Sequence, residues 1–233
     1  MKNVLRPFSK VWATDYFACS ELAGRYLFGD KAFDKGEVKI IRNAIDVEKF
    51  KFDPEARKKL REEIGIADND FVIGHIGRFV EQKNHHFLID IFAEVKKEKK
   101  NTKLVLVGQG PLREEIEQKV KDLGLEKDVF FLGQRSDTNK LYSVFDVFCL
   151  PSLYEGFGVV LLEAFANGLV TITNDNTPKE AVDATESIVA NGIEAWLEGL
   201  LCNNIRKNNG IVDAAYEIRK SFEMLQLFYE DKS

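Results

Sequence analysis

The sequence predicts an α/β fold, a parallel sheet flanked by helices. Three observations carry this. Strand-like apolar runs alternate with amphipathic helical stretches through the middle of the chain. The runs are apolar almost continuously rather than at every second residue, as strands covered on both faces require. Finally, most runs end in a glycine-bearing loop, and such sheets bind ligands beyond the carboxyl ends of their strands.

The elements follow in order. Residues 12–20 form a strand-like run, 21–28 a short helix and 38–41 a second strand. The charged stretch 54–64 reads as a helix. Residues 70–76 make a strand ending in Gly77-Arg78. A helix follows, with Phe87, Leu88, Ile91, Phe92 and Val95 on one face. Residues 103–107 are the next strand, leading through Gly108-Gln109-Gly110-Pro111 to a helix that stops at Gly124. The strand at 129–132 runs into Gly133-Gln134-Arg135, and a short helix with Leu141, Tyr142 and Val144 leads to the strand at 147–150. A helix begins near Gly156 and Gly158, followed by a strand at 170–173. Beyond lie a short strand at 188–190 and helices at 193–201 and 211–229, the last with an apolar face suited to association or dimerisation. The organisation expected is 1–45, 46–210 as the main domain, and 211–233 as a C-terminal helix.

Composition narrows the function. The chain has 233 residues, 45% hydrophobic and 30% charged, which is ordinary for a globular protein. A net charge of −5 argues against a general nucleic-acid binder. No apolar run reaches the ~20 residues that span a bilayer, and the first residues lack the apolar core of a secretory signal. Cys19, Cys149 and Cys202 show no metal spacing and read as idle thiols of a reducing compartment. A cytoplasmic protein is expected. The Lys-rich stretch 96–100 is a solvated helix end, with peripheral contact at the inner membrane surface as the minor reading. His75 reads as core or second to the site, and His85-His86 as a helix opening; they form no metal cluster.

Chemistry concentrates in two segments. Arg78 and Lys83 stand five apart between a strand end and a helix start. Two cations at a helix N-terminus oppose its dipole unless an anion lies between them, and a diphosphate suits an Arg fork beside a Lys point charge. Downstream, Glu155 and Glu163 stand eight apart, with Gly156-Phe157-Gly158 after the first and an apolar run before the second. Glycines let a backbone approach a ligand closely, and a helix start favours an anion. Glu163 is expected about two turns into that helix, where its carboxylate can accept from sugar or ribose hydroxyls.

The Glu155–Glu163 stretch, Pro151-Ser152 before it, Gly77-Arg78 with Lys83, and the Gly-x-Gly-Pro turn at 108–111 together resemble the retaining glycosyltransferases of family 4. That resemblance covers residues 12–180 well and the rest loosely. It implies a Rossmann-like donor-binding domain, one half of a GT-B fold. Residues 1–45 would then be the tail of an acceptor domain that is otherwise missing.

The resemblance also implies residue roles. Arg78, Lys83 and Glu155 become catalytic, the cations neutralising the donor diphosphate and Glu155 facing the donor sugar. Gly77, Gln134, Arg135, Phe157, Gly158, Val159 and Glu163 become substrate-binding. Gln134 and Arg135 would lie at the nucleobase, where an ordinary polar turn is an equal reading, and Glu163 at the ribose. The partner implied is a nucleotide diphosphate sugar, UDP-linked, with a saccharide or lipid-linked acceptor held by another domain. No metal and no cofactor are expected. The sequence departs from the family at Gly168-Leu169-Val170, where a proline is usual. Two alternatives stay open: an inactive nucleotide-binding or interaction module, and another GT-B enzyme such as a nucleotide-sugar epimerase.

Overall fold

The computed structural model describes residues 14–201, together with 216–218 and 226. The described residues fall into two compact units, one of 14–45 with 216–218 and 226, the other of 46–201.

The smaller unit contains β1 (Tyr16–Ala18), α1 (Glu21–Phe28), α2 (Asp30–Asp34) and β2 (Val38–Ile40). β1 and β2 pair in parallel, Tyr16 opposite Val38. Ser20 caps α1 by accepting from the Ala23 amide at 3.1 Å. Ala18, Phe28 and Val38 form its core, with Tyr16 stacked on Phe28 at 4.6 Å. The Ile45 amide donates to the Tyr216 carbonyl at 2.9 Å. The helix expected at 211–229 lies otherwise outside the described residues.

The larger unit runs α3 (Val47–Phe50), α4 (Pro54–Ile64), β3 (Phe71–Ile76), α5 (His85–Glu98), β4 (Thr102–Val107), α6 (Arg113–Asp122), β5 (Val129–Gly133), α7 (Thr138–Leu141), β6 (Val147–Leu150), α8 (Val159–Ala166), β7 (Val170–Thr173), α9 (Lys179–Thr185), β8 (Ile188–Val189) and α10 (Gly192–Leu201). Asp53 caps α4 by accepting from the Ala56 amide, and Gly65 ends it in the left-handed region. β3 to β8 form one parallel sheet in the order β5-β4-β3-β6-β7-β8.

From β3 the chain moves outward to β4 and β5, then returns to place β6 on the other side of β3. The loops after β3 and β6 therefore part at the topological switch point, where doubly wound sheets bind ligands. The strands are buried throughout their centres: Val72, Ile73, Leu104, Leu106, Phe148 and Cys149 have no exposed surface. α5 and α10 contribute Leu88, Ile91, Phe92, Trp196 and Leu200 to the same core.

Sequence and structure differ in a few places. α2, α3 and α9 were not expected; at five, four and seven residues they are too short for periodicity to register. A 3-10 turn at Glu81–Lys83 separates the Arg78 loop from α5, so Lys83 precedes the helix rather than opening it.

Candidate functional site

Three loops build the switch-point end of the sheet, and backbone contacts hold them together. The Phe79 amide donates to the Gln109 carbonyl at 3.0 Å, and the Leu112 amide to the Phe79 carbonyl at 3.1 Å. Gly108 makes this approach possible. Its φ is +143°, and a Cβ there would lie 2.0 Å from the Gly77 carbonyl oxygen. The Gly108–Gly110 turn is thus structural, a brace under the Gly77–Phe79 loop.

The loop after β6 is clamped to the turn after β3. The Leu153 amide donates to the Gln82 carbonyl at 2.8 Å. The Gln82 side chain donates back to the Tyr154 carbonyl at 2.8 Å, and Asn84 donates to the Pro151 carbonyl. This clamp brings together two residues far apart in sequence: Lys83 Nζ lies 2.5 Å from Glu155 Oε1. The Glu155 side chain is only 7% exposed and that of Lys83 17%, so the pair is well shielded from water.

Arg78 stands in the adjacent loop. It is exposed, and its guanidinium has no ion-pair or hydrogen-bond partner among the described residues. Gly77 leaves no room for a side chain: a Cβ would come within 2.8 Å of His75 Nε2 and 3.4 Å of Lys83 Cγ. His75, expected as core or second to the site, is fully buried. Its Nδ1 pairs with the Cys149 carbonyl at 2.8 Å, tying β3 to β6 beneath the site. Burial lowers its pKa to about 4, and that of His85 to about 2. Both rings are neutral near pH 7.

Gly158 begins α8 in the left-handed conformation, with φ +80°. Phe157 and Gly158 are buried and Val159 is half-buried. Glu163 is the fifth residue of α8, one turn in rather than two, because the helix starts at Val159 and not at the first glycine. Its Oε2 accepts from the Tyr142 hydroxyl at 2.5 Å. Burial raises the Glu163 pKa, opposed by that hydrogen bond.

The turn after β5 behaves differently. Gln134 is exposed. The Arg135 guanidinium is held by Asp137 at 2.8 Å and by Glu63 of α4 at 3.1 Å. That side chain is occupied within the fold. Sequence reasoning also missed Tyr142, which reads as an apolar helix position; its polar partner is 21 residues away.

Comparison with known proteins gives the family. Residues 56–201 match the family described as glycosyl transferases group 1. The chain belongs to that family. Its parallel six-stranded sheet flanked by helices is the Rossmann-like half of a GT-B fold. Among relatives of this group 1 chain, the putative glycosyltransferase EpsF of Bacillus subtilis (strain 168) is 41% identical over 191 residues, 80% of this chain and 50% of EpsF. A UDP-Gal:alpha-D-GlcNAc-diphosphoundecaprenol alpha-1,3-galactosyltransferase of Escherichia coli is 32% identical over 70% of this chain and 42% of its own. The chain thus spans about half the length of the curated relatives it matches. Among solved structures, Anabaena HepE in complex with UDP and glucose superposes with a TM-score of 0.81 at 23% identity, covering 98% of this chain and 66% of that one. The C-terminal domain of the group 1 protein LpcC of Francisella tularensis superposes with a TM-score of 0.60 at 22% identity, over 80% of this chain and 98% of that domain. At such identities both speak for the fold. Among the described residues, no helix is long and apolar enough to cross a membrane.

Proposed function

We propose that this chain is the donor-binding domain of a retaining glycosyltransferase of family 4, acting in cell-surface polysaccharide synthesis. The observation that carries the reading is the Lys83–Glu155 pair at the switch point, with the unpaired Arg78 in the next loop. An Arg fork and a Lys beside the start of a helix suit a diphosphate. On this reading Arg78 and Lys83 neutralise the nucleoside diphosphate as it leaves, in place of a resident metal. Glu155 faces the donor sugar, and the backbone of 157–159 lies along the sugar and phosphates. Glu163 accepts from the ribose hydroxyls. Gln134 meets the base, while Arg135, already paired, acts through the backbone of its turn. The acceptor, a saccharide or a lipid-linked sugar, would be held by an N-terminal domain outside this chain.

UDP is the favoured nucleotide: one relative and several structural neighbours are named with UDP, against one relative named with GDP-mannose. Thermal melts with UDP, GDP, ADP and their sugar conjugates test this, repeated in Glu163→Ala and Arg78→Ala. A ligand at a hundred times its Kd adds about 2.7 kcal/mol to stability. A rise with UDP that both variants lose is expected. No rise with any nucleotide would overturn the reading in favour of an interaction module.

A further inference from the structure

We infer that Tyr142 is a positioning residue that aims Glu163 and thereby sets the site's selectivity for ribose over deoxyribose; this rests on the donor-site reading above. Tyr142 opens a 3-10 turn between α7 and β6 and has no exposed surface. Its ring is fixed on three sides. Phe50 lies edge-on at 5.8 Å, Phe145 edge-on at 6.1 Å and Phe148 tilted at 5.6 Å. The hydroxyl therefore has one direction in which to act, toward Glu163 Oε2 at 2.5 Å.

The direction of this hydrogen bond is settled by chemistry. Burial raises the Tyr142 pKa well above the ordinary phenol value, and the neighbouring Glu163 adds to it. The phenol stays protonated and donates, and the carboxylate accepts. One carboxylate oxygen is thus committed to the protein. Oε1 has no hydrogen-bond partner among the described residues and remains for a ligand hydroxyl. A short helix on a glycine start does not by itself fix a side chain at its fifth position. Tyr142 restricts the Glu163 rotamer, so that a vicinal diol meets an acceptor in one place. Without the tether, the carboxylate is no longer held to one rotamer, and a ribose hydroxyl would gain little over a hydrogen atom.

Calorimetric titration of the whole chain with UDP, 2′-deoxy-UDP and 3′-deoxy-UDP tests this. Wild type is expected to bind UDP tighter than at least one deoxy analogue by ~10-fold, as a hydrogen bond to a charged group allows. Tyr142→Phe keeps the ring and its packing. It should weaken UDP by about the same factor and leave that deoxy analogue within ~3-fold, so the ratio collapses. A purely structural role would weaken both ligands alike and leave the ratio standing. That result overturns the inference. Glu163→Asp keeps the charge but withdraws the carboxylate from Tyr142 by one methylene, and decides the matter if Tyr142→Phe does not fold. Retained discrimination in Glu163→Asp would likewise overturn it. If wild type binds no nucleotide, the donor-site reading falls and this inference with it. If wild type discriminates and Tyr142→Phe does too, the donor site stands and only Tyr142 loses its role.

Discussion

Lys83 and Glu155 meet at 2.5 Å with both side chains largely shielded from water, so each is the other's main source of charge compensation. Removing one partner leaves a shielded charge unpaired, which costs more than the pair itself contributes. Lys83→Met alone and Glu155→Gln alone are each expected to destabilise the chain by about 1–3 kcal/mol, with the double variant closer to wild type than the sum. Denaturant melts of the four proteins measure the coupling. All three variants should lose nucleotide binding, separating the pair's structural part from its part in the site. His75 and His85 give a second expectation at this scale. Their folded pKa values, about 4 and about 2, lie below the usual value near 6.5 because burial disfavours the imidazolium. Between pH 6.5 and 4 the unfolded chain therefore binds protons that the folded chain refuses. Stability is full above pH 6.5 and falls as the pH drops through that window, by on the order of 1 kcal/mol per pH unit for each ring. Glu163 works in the opposite sense, since its raised pKa relieves a buried charge on acidification. His85→Leu removes one titrating ring whose nitrogens have no hydrogen-bond partner among the described residues. Melts from pH 7.5 to 5 should show a shallower slope in this variant, with no loss at pH 7.5.

Elements are joined by polar contacts that the hydrophobic pattern does not announce. Arg57 and Arg61 lie on α4, and both reach Asp146 at the entrance to β6, at 2.7 and 2.8 Å. Arg61 is 1% exposed and also donates to the carbonyls of Val144, Ala67, Asp68 and Asp70. Asp146 in turn accepts from the Val72 amide of β3 at 2.8 Å. Asp146→Ala leaves two shielded guanidinium groups uncompensated, and a loss of about 3–5 kcal/mol in a urea melt is expected. From sequence, α4 reads only as a charged helix over 54–64. Its span was legible, and the role of its arginines was not. β6 and β7 were legible to the residue, because a four-residue apolar run between turns has few other readings. The site followed the same division. Glu155, Glu163, Arg78 and Lys83 stood out as candidates because they sit in loops beyond strand ends or in the first turns of the helices that follow. Tyr142 and His75 could not be assigned roles, since an aromatic at an apolar position looks like core until its one polar atom has a partner. The clamp between the loops after β3 and β6 is likewise a tertiary fact. Gln82→Ala removes one of its three hydrogen bonds. It should lower nucleotide affinity by ~3–10-fold in calorimetry while changing stability by less than about 1 kcal/mol, the range of one exposed hydrogen bond.

At the scale of the whole chain, binding and transfer should separate. The residues proposed to hold the donor all lie within 46–201, the unit that carries the family match at 56–201. Its sheet, its switch point and its clamped loops are complete in themselves. A retaining transfer has a further requirement, an acceptor hydroxyl presented to the same face of the donor sugar that the nucleotide leaves, with water kept out. Presentation alone is worth several orders of magnitude, because it replaces a bimolecular encounter with a positioned one. The relatives that bear transferase names are matched by this chain over only half of their length or less. We therefore expect this chain to bind UDP with an affinity within ~10-fold of a full-length relative, since the donor contacts are present, while transferring sugar at least ~100-fold more slowly. Adding the N-terminal half of such a relative, fused or in trans, should raise transfer and leave UDP affinity nearly unchanged. The measurement is product formation from a radiolabelled UDP-sugar, run beside calorimetry on the same protein. Transfer at full rate by the chain alone would show that no second half is needed to present the acceptor. A large gain in UDP affinity on adding the N-terminal half would instead mean that the donor site is shared between the halves, and that the loops after β3 and β6 provide only part of it.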